Sequence, residues 1–334
     1  MKKPVLILLC ALALAGAGAQ ERVLFIGNSL TYFNDMPHLF ERIAADKGHE
    51  VEARSFTLGG TGLVELAATS EVQRLIREER WDKVVLQPGS SESAGLSRST
   101  GEMARAILQF LETLRAMSPD AKVCLYEISN GVTPGNGSGD YATYLYSQQR
   151  IRDTVLRMAA LAGLPMAPAG ECFRHHYAVH HDLMLHSAFN DVHPNLAGSY
   201  LVACALFETL FEEPVMPCRF HASLDAGQAD YLQEVADSVV LPRREEWLMG
   251  PGSEDDPSDV GLQPVAQRRL QVYPNPSTGL VHVDTCGEVL LFDLKGTATR
   301  TEAKGGQIDL SHLVPGVYIL QAGNRRQRLI LSDH

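Results

Sequence analysis

Apolar runs of strand length alternate along the chain with apolar stripes at helical spacing. Val23-Leu24-Phe25-Ile26 is the first run, and Gly27 closes it. An unbroken run of this kind predicts a strand covered on both faces, as in a parallel sheet. Asp35 as N-cap, Pro37 in the first turn, and Leu39, Phe40, Ile43 and Ala44 on one face predict a helix that Gly48 ends. The alternation continues with strands expected over 51–56, 81–87, 123–128 and 164–167. Between and after them, helices are expected over 64–79, 141–162 and 224–239. Ser99 with Glu102 forms a capping box opening a helix that runs to Met117. Asn195 caps another that carries Leu196, Tyr200, Cys204, Phe207 and Phe211. The stretch 175–186 is rich in histidine and reads as irregular. Strands and helices alternating at this spacing predict a doubly wound parallel α/β sheet over 21–240.

The pattern changes at both ends. Lys2 and Lys3 precede an apolar run, Val5 to Ala15, too short to span a bilayer comfortably, and Ala17-Gly18-Ala19 fits a cleavage site. Residues 1–19 therefore read as a signal peptide. No later segment reaches membrane-spanning length, so the exported chain is expected to carry no transmembrane segment. Residues 249–267 are acidic and rich in Gly, Pro and Ser, the composition of a linker. Beyond them, short strands are expected over 270–273, 280–283, 289–292, 307–310, 317–321 and 328–331. Turn residues such as Asn275-Pro276-Ser277-Thr278-Gly279 separate them, and together they predict a small all-β sandwich over 268–332.

Composition narrows the function classes. With 334 residues, 45% of them hydrophobic, the chain can build a full core. A net charge of -11 excludes a nucleic-acid footprint. The chain has six cysteines, and removing Cys10 with the signal leaves five: Cys124, Cys172, Cys204, Cys218 and Cys286. An odd number leaves at least one unpaired; Cys124 and Cys204 read as small core residues, and Cys172 with Cys218 is a candidate disulfide.

The candidate chemistry sits just after the first strand. Ser29 would lie at its carboxyl end, where open α/β sheets hold their ligands. A serine there needs a base, and the base needs an orienting partner. Gly27-Asn28-Ser29-Leu30-Thr31, then Gly59-Gly60, then Asp191-Val192-His193-Pro194-Asn195 with Gly198-Ser199-Tyr200-Leu201 follow in order. Together these blocks resemble the SGNH (GDSL-like) hydrolases. The resemblance implies a three-layer, flavodoxin-like doubly wound sheet. It also implies a serine esterase working through an acyl-enzyme without metal or cofactor. Ser29 would be the nucleophile and His193 the base, with the Ser29 and Gly60 N–H groups and the Gln87 amide as oxyanion donors. Exported relatives often act on carbohydrate esters, so a saccharide acetyl or acyl ester is the expected substrate.

Two departures stand out. The family's third block is replaced by Leu86-Gln87-Pro88-Gly89-Ser90. The family also places Asp three residues before His; here that position is Asn190, while Asp191 is only two before. The orienting partner is therefore Asp191 or, failing it, Asn190. The same offset keeps open a non-catalytic binding protein on this scaffold. His175, His176, His180, His181 and His186 offer a third reading, a metal site, without completing a recognisable pattern.

The last segment has its own resemblance. Val272-Tyr273-Pro274-Asn275-Pro276-Ser277-Thr278-Gly279, then Ile308-Asp309-Leu310-Ser311 and Leu313-Val314-Pro315-Gly316-Val317-Tyr318, look like the type A C-terminal sorting domain of the type IX secretion system of Bacteroidota. That family implies the type IX machinery as a partner. It also implies passage through the periplasm and a secreted or surface-attached product. Arg325, Arg326 and Arg328 stand where the family usually ends in lysines.

Overall fold

The computed structural model describes residues 20–250 except 136–137, and 270–332 except 271, 284–286, 293–297 and 323–324. The expected signal peptide, Cys286 and nearly all of the expected linker lie outside the described residues. The described chain forms two compact units.

The first unit is built on a five-stranded sheet: β1 (Glu21–Gly27), β2 (Val51–Thr57), β3 (Lys83–Leu86), β4 (Lys122–Tyr126) and β5 (Met166–Ala167). Its order is β2-β1-β3-β4-β5, and every pair is parallel. This is the flavodoxin-like doubly wound arrangement. Val23, Leu24, Phe25 and Ile26 are fully buried because β1 has strands on both edges and helices on both faces. From β1 the chain winds outward to β2, then returns across β1 to start β3. The carboxyl ends of β1 and β3 therefore flank the switch point, where such sheets open a crevice.

The helices are α1 (Ser29–Tyr32), α2 (Met36–Asp46), α3 (Leu63–Ala67), α4 (Ser70–Glu78), α5 (Ser90–Ser93), α6 (Thr100–Met117), α7 (Tyr141–Ala162), α8 (Ala169–Tyr177), α9 (Leu196–Phe211) and α10 (Ala226–Val239). Three points differ from the sequence pattern. The helix expected over 64–79 is broken into α3 and α4, with Thr69 extended between them. The buried carboxylate of Glu92 caps α3 from outside, accepting from Leu63 N at 2.8 Å and Val64 N at 3.2 Å. Residues 169–177 form α8, whose opening Ala-Gly-Glu-Cys carries no helical stripe. Finally, α9 is buried nearly all round rather than on one face, because α2, α8 and α10 all pack on it.

Cys124, Cys172, Cys204 and Cys218 are buried free thiols, so the candidate Cys172–Cys218 disulfide is absent. Burial pushes all four upward, Cys124 to about 12, as expected of small core residues rather than reactive ones.

The second unit holds a three-stranded sheet and a four-stranded one. The first has the order β10-β7-β6 and the second β12-β11-β8-β9, all antiparallel. Their strands are β6 (Val272–Tyr273), β7 (Leu280–Val283), β8 (Gly287–Phe292), β9 (Ala298–Ala303), β10 (Gln307–Asp309), β11 (Gly316–Ala322) and β12 (Arg325–Leu331). Val281, Ile308, Leu291, Leu320 and Leu329 share one core between the sheets. The sequence pattern misses β9, Ala-Thr-Arg-Thr-Glu-Ala, which has no apolar alternation.

Glu208 of α9 is a carboxyl in the core of the first unit. Burial, and then its neighbour Asp237, push its pKa from 4.5 up to about 10. The folded state thus keeps a proton that the unfolded chain loses near pH 4.5. This contribution to stability is full below that pH and falls as pH rises toward 10, by at most about 1.4 kcal/mol per pH unit. Glu208→Gln removes the titration. The stability of the variant relative to wild type is expected to rise between pH 5 and pH 8, read by urea denaturation. A constant difference would show that Glu208 does not hold the proton.

Candidate active site

The turn after β1 is held from β3. Gln87 is fully buried at the end of β3, and its Oε1 accepts from Asn28 N at 2.8 Å and from the Thr31 hydroxyl at 3.1 Å. Its Nε2 donates to Pro88 O. Gly27 is required by this approach: a Cβ there would lie 2.5 Å from both Gln87 Oε1 and Thr31 Oγ1. Gln87 thus braces the turn with its amide.

Asn28 completes the brace. Its Oδ1 accepts from Leu30 N at 3.0 Å, capping α1, and its Nδ2 donates to Thr61 O at 2.7 Å. That second bond ties the Leu58–Thr61 turn to the end of β1. Within this turn Thr61 N donates to Leu58 O, and Gly60 has φ +75°. A type II turn demands such a residue at its third position. The N–H groups of Gly60 and Ser29 have no protein acceptor among the described residues.

Ser29 opens α1. Its Oγ lies 2.8 Å from His193 Nε2, and His193 Nδ1 lies 2.5 Å from Asp191 Oδ1. Asp191 as a carboxylate can only accept, so Nδ1 carries the proton and Nε2 is left to accept from the Ser29 hydroxyl. The two-residue spacing is explained locally. Asp191 Oδ1 also accepts from His193 N at 2.9 Å, an Asx turn that folds the chain back so the carboxylate reaches the ring. Asn190, in the left-handed region with φ 60°, shapes this loop through its backbone, its N donating to Val132 O at 2.8 Å. Of the two alternatives, Asp191 receives the ring N–H. Burial acts to raise the Asp191 pKa, but the His193 backbone N–H, its imidazole and its charge outweigh this and lower it.

The loop carrying His193 is anchored by Asn195, whose Nδ2 donates to Met184 O at 2.7 Å and whose Oδ1 caps α9. Of the other histidines in this stretch, His175 and His180 are exposed. His176 bridges Tyr231 OH and Leu183 O, each at 2.8 Å, and His181 stacks on Tyr141 with centroids 3.8 Å apart. His186 lies 3.0 Å from Tyr177 OH, and burial, opposed by the Asp191 charge, pushes its pKa down to about 4. Among the described residues, no group of three or more His, Cys, Asp or Glu is placed to hold a metal ion.

Comparison with known proteins adds to this geometry. Residues 271–331 match the family model of a secretion system C-terminal sorting domain. The match implies export, to a secreted or cell-surface state, by way of the secretion machinery. Among the described residues no helix is long and apolar enough to cross a membrane. No curated protein matches the chain in sequence. In structure, the chain is similar to a DUF4886 family protein from Bacteroides uniformis, 17% identical, with TM-score 0.55 over 66% of this chain and 94% of that one. It is also similar to Axe2, an acetyl xylan esterase from Geobacillus stearothermophilus, 17% identical, with TM-score 0.41 over 57% and 94%. A carbohydrate esterase family 3 protein from Talaromyces cellulolyticus is 15% identical, with TM-score 0.42 over 58% and 97%. The first of these likenesses shows a shared fold.

Gly27→Ala tests the brace. The added methyl has no room beside Gln87 and Thr31, so stability in urea is expected to fall by about 1–3 kcal/mol. A midpoint equal to wild type would mean that the contact between the two strand ends is looser than described.

Proposed function

We propose that the protein is an exported serine esterase that removes acetyl or other acyl groups from carbohydrate esters. The observation that carries this reading is the continuous line Ser29 Oγ, His193 Nε2, His193 Nδ1, Asp191 Oδ1. In the first half-reaction, Ser29 Oγ attacks the ester carbonyl carbon as its proton passes to Nε2. His193 then gives that proton to the departing alcohol, leaving an acyl-serine. Water, deprotonated by the same nitrogen, hydrolyses it. Asp191 keeps the ring in the working tautomer and stabilises the imidazolium. The N–H groups of Ser29 and Gly60, both without a protein acceptor, are our donors for the oxyanion. One such donor is typically worth about 2.7–4 kcal/mol of barrier.

A saccharide ester is supported by the resemblance of the three sequence blocks to SGNH hydrolases and by the export route. Tyr32, 44% exposed in the same turn as Ser29, offers an aromatic face to a sugar ring. We further read residues 1–19 as a signal peptide, 21–240 as the hydrolase domain, 249–267 as a linker and 268–332 as the sorting domain. The route then runs through the periplasm.

Labelling with a fluorophosphonate probe, beside hydrolysis of p-nitrophenyl acetate, tests the chemistry. Wild type is expected to label and turn over. Ser29→Ala and His193→Ala should do neither measurably, and Asp191→Asn should lose on the order of 10⁴ in kcat through the wrong tautomer. A folded wild type that neither labels nor hydrolyses any acyl ester sinks the proposal.

A further inference from the structure

Hydrogen bonds occupy both nitrogens of the His193 imidazole, at Ser29 and at Asp191, but leave the flat of the ring to be held by something else. Phe33 lies against it, with centroids 4.2 Å apart and planes 20° from parallel. Phe33 is half-buried and belongs to neither hydrophobic core cluster, so its place is not dictated by core packing.

The backbone that presents Phe33 is unusual. Asn34 (φ 52°, ψ 26°) and Asp35 (φ 52°, ψ 47°) are consecutive non-glycine residues in the left-handed region. Such strain persists only where its surroundings impose it. Helix capping does not account for it, since Asp35 at the N-cap of α2 makes no side-chain cap bond. What the turn achieves is a set of ties to the histidine loop and to the first turn of α9 that follows it. Asn34 Nδ2 donates to Pro194 O and to Ser199 Oγ, both at 2.9 Å, and the Ser199 hydroxyl donates to Phe33 O at 3.2 Å. Pro194 directly follows His193. The Phe33 ring and the imidazole are thus anchored to the same short loop from two sides.

We propose that Phe33 is a positioning residue for His193, whose ring face holds the imidazole in line with Ser29 Oγ and favours the imidazolium that forms during attack. An aromatic face is negative, so it attracts a cation more than a neutral ring. The stack therefore strengthens as the serine proton arrives, and an interaction gained only on the way to the transition state raises kcat rather than binding. This inference rests on the reading of Ser29 as nucleophile.

Phe33→Leu and Phe33→Tyr, made in the full chain, test it. The leucine keeps apolar bulk without a π face; the tyrosine keeps the face. With p-nitrophenyl acetate, Phe33→Leu should lower kcat about 5- to 30-fold with KM within about two-fold of wild type, while Phe33→Tyr stays near wild type. In proton NMR, the low-field His193 Nδ1–H signal should broaden by solvent exchange in Phe33→Leu and stay sharp in Phe33→Tyr. A leucine variant with wild-type kcat and a sharp signal overturns the proposal, as does a tyrosine variant that falls as far as leucine. If wild type neither hydrolyses esters nor labels at Ser29, the esterase reading fails. The NMR comparison then decides alone whether Phe33 holds the ring.

Discussion

The crossing of one buried amide between two strand ends is the constraint on which the site depends. Gln87 reaches from β3 to the backbone N–H of Asn28 and to Thr31 at the end of β1. The approach is close enough that only glycine fits at position 27. Parallel strands alone would leave the turn after β1 free to choose its direction, because its first N–H groups have no partner in the ladder. The amide removes that freedom. Asn28 then passes the constraint on to the Leu58–Thr61 turn, so three loops from different parts of the chain share one small network at the switch point.

On the other side, the same logic works over a shorter range. Asn195 holds the histidine loop to Met184, and the Asx turn at Asp191 sets the imidazole. Phe33 and Asn34 join the two sides, since they follow Ser29 closely in sequence yet bond to Pro194 and Ser199. Serine and imidazole are therefore placed by two networks meeting edge to edge, not by one rigid element.

Much of this was legible in the sequence where a pattern has one physical cause. Val23 to Ile26 is apolar without interruption because β1 is covered on both faces, and Ser99 with Glu102 could only open a helix. The blocks around Ser29 and His193 were legible only through their resemblance to the SGNH hydrolases, since a serine after a buried strand is by itself most often a turn residue or a helix cap. What was hidden depends on contacts distant in sequence. Gln109 donates to Ala67 O at the end of α3 across 42 residues, so the break at Thr69 leaves no local mark. The role of Gln87 could not be told from composition, because a glutamine at a strand end can face the crevice or the turn equally well. Phe33 read as nothing in particular, since its meaning lies in a ring 160 residues away.

The spacing between Asp191 and His193 has a consequence for the entropy of the site. When a carboxylate and an imidazole come from distant segments, holding them together means closing a long loop, and any opening of the fold separates them. Here the pair is closed over two residues by its own turn, so almost no loop entropy opposes it. The carboxylate and the imidazole form one local unit, closed by the Asx turn and the ring hydrogen bond. Parting His193 from Ser29 opens a closure of 164 residues, whereas parting it from Asp191 opens one of only two.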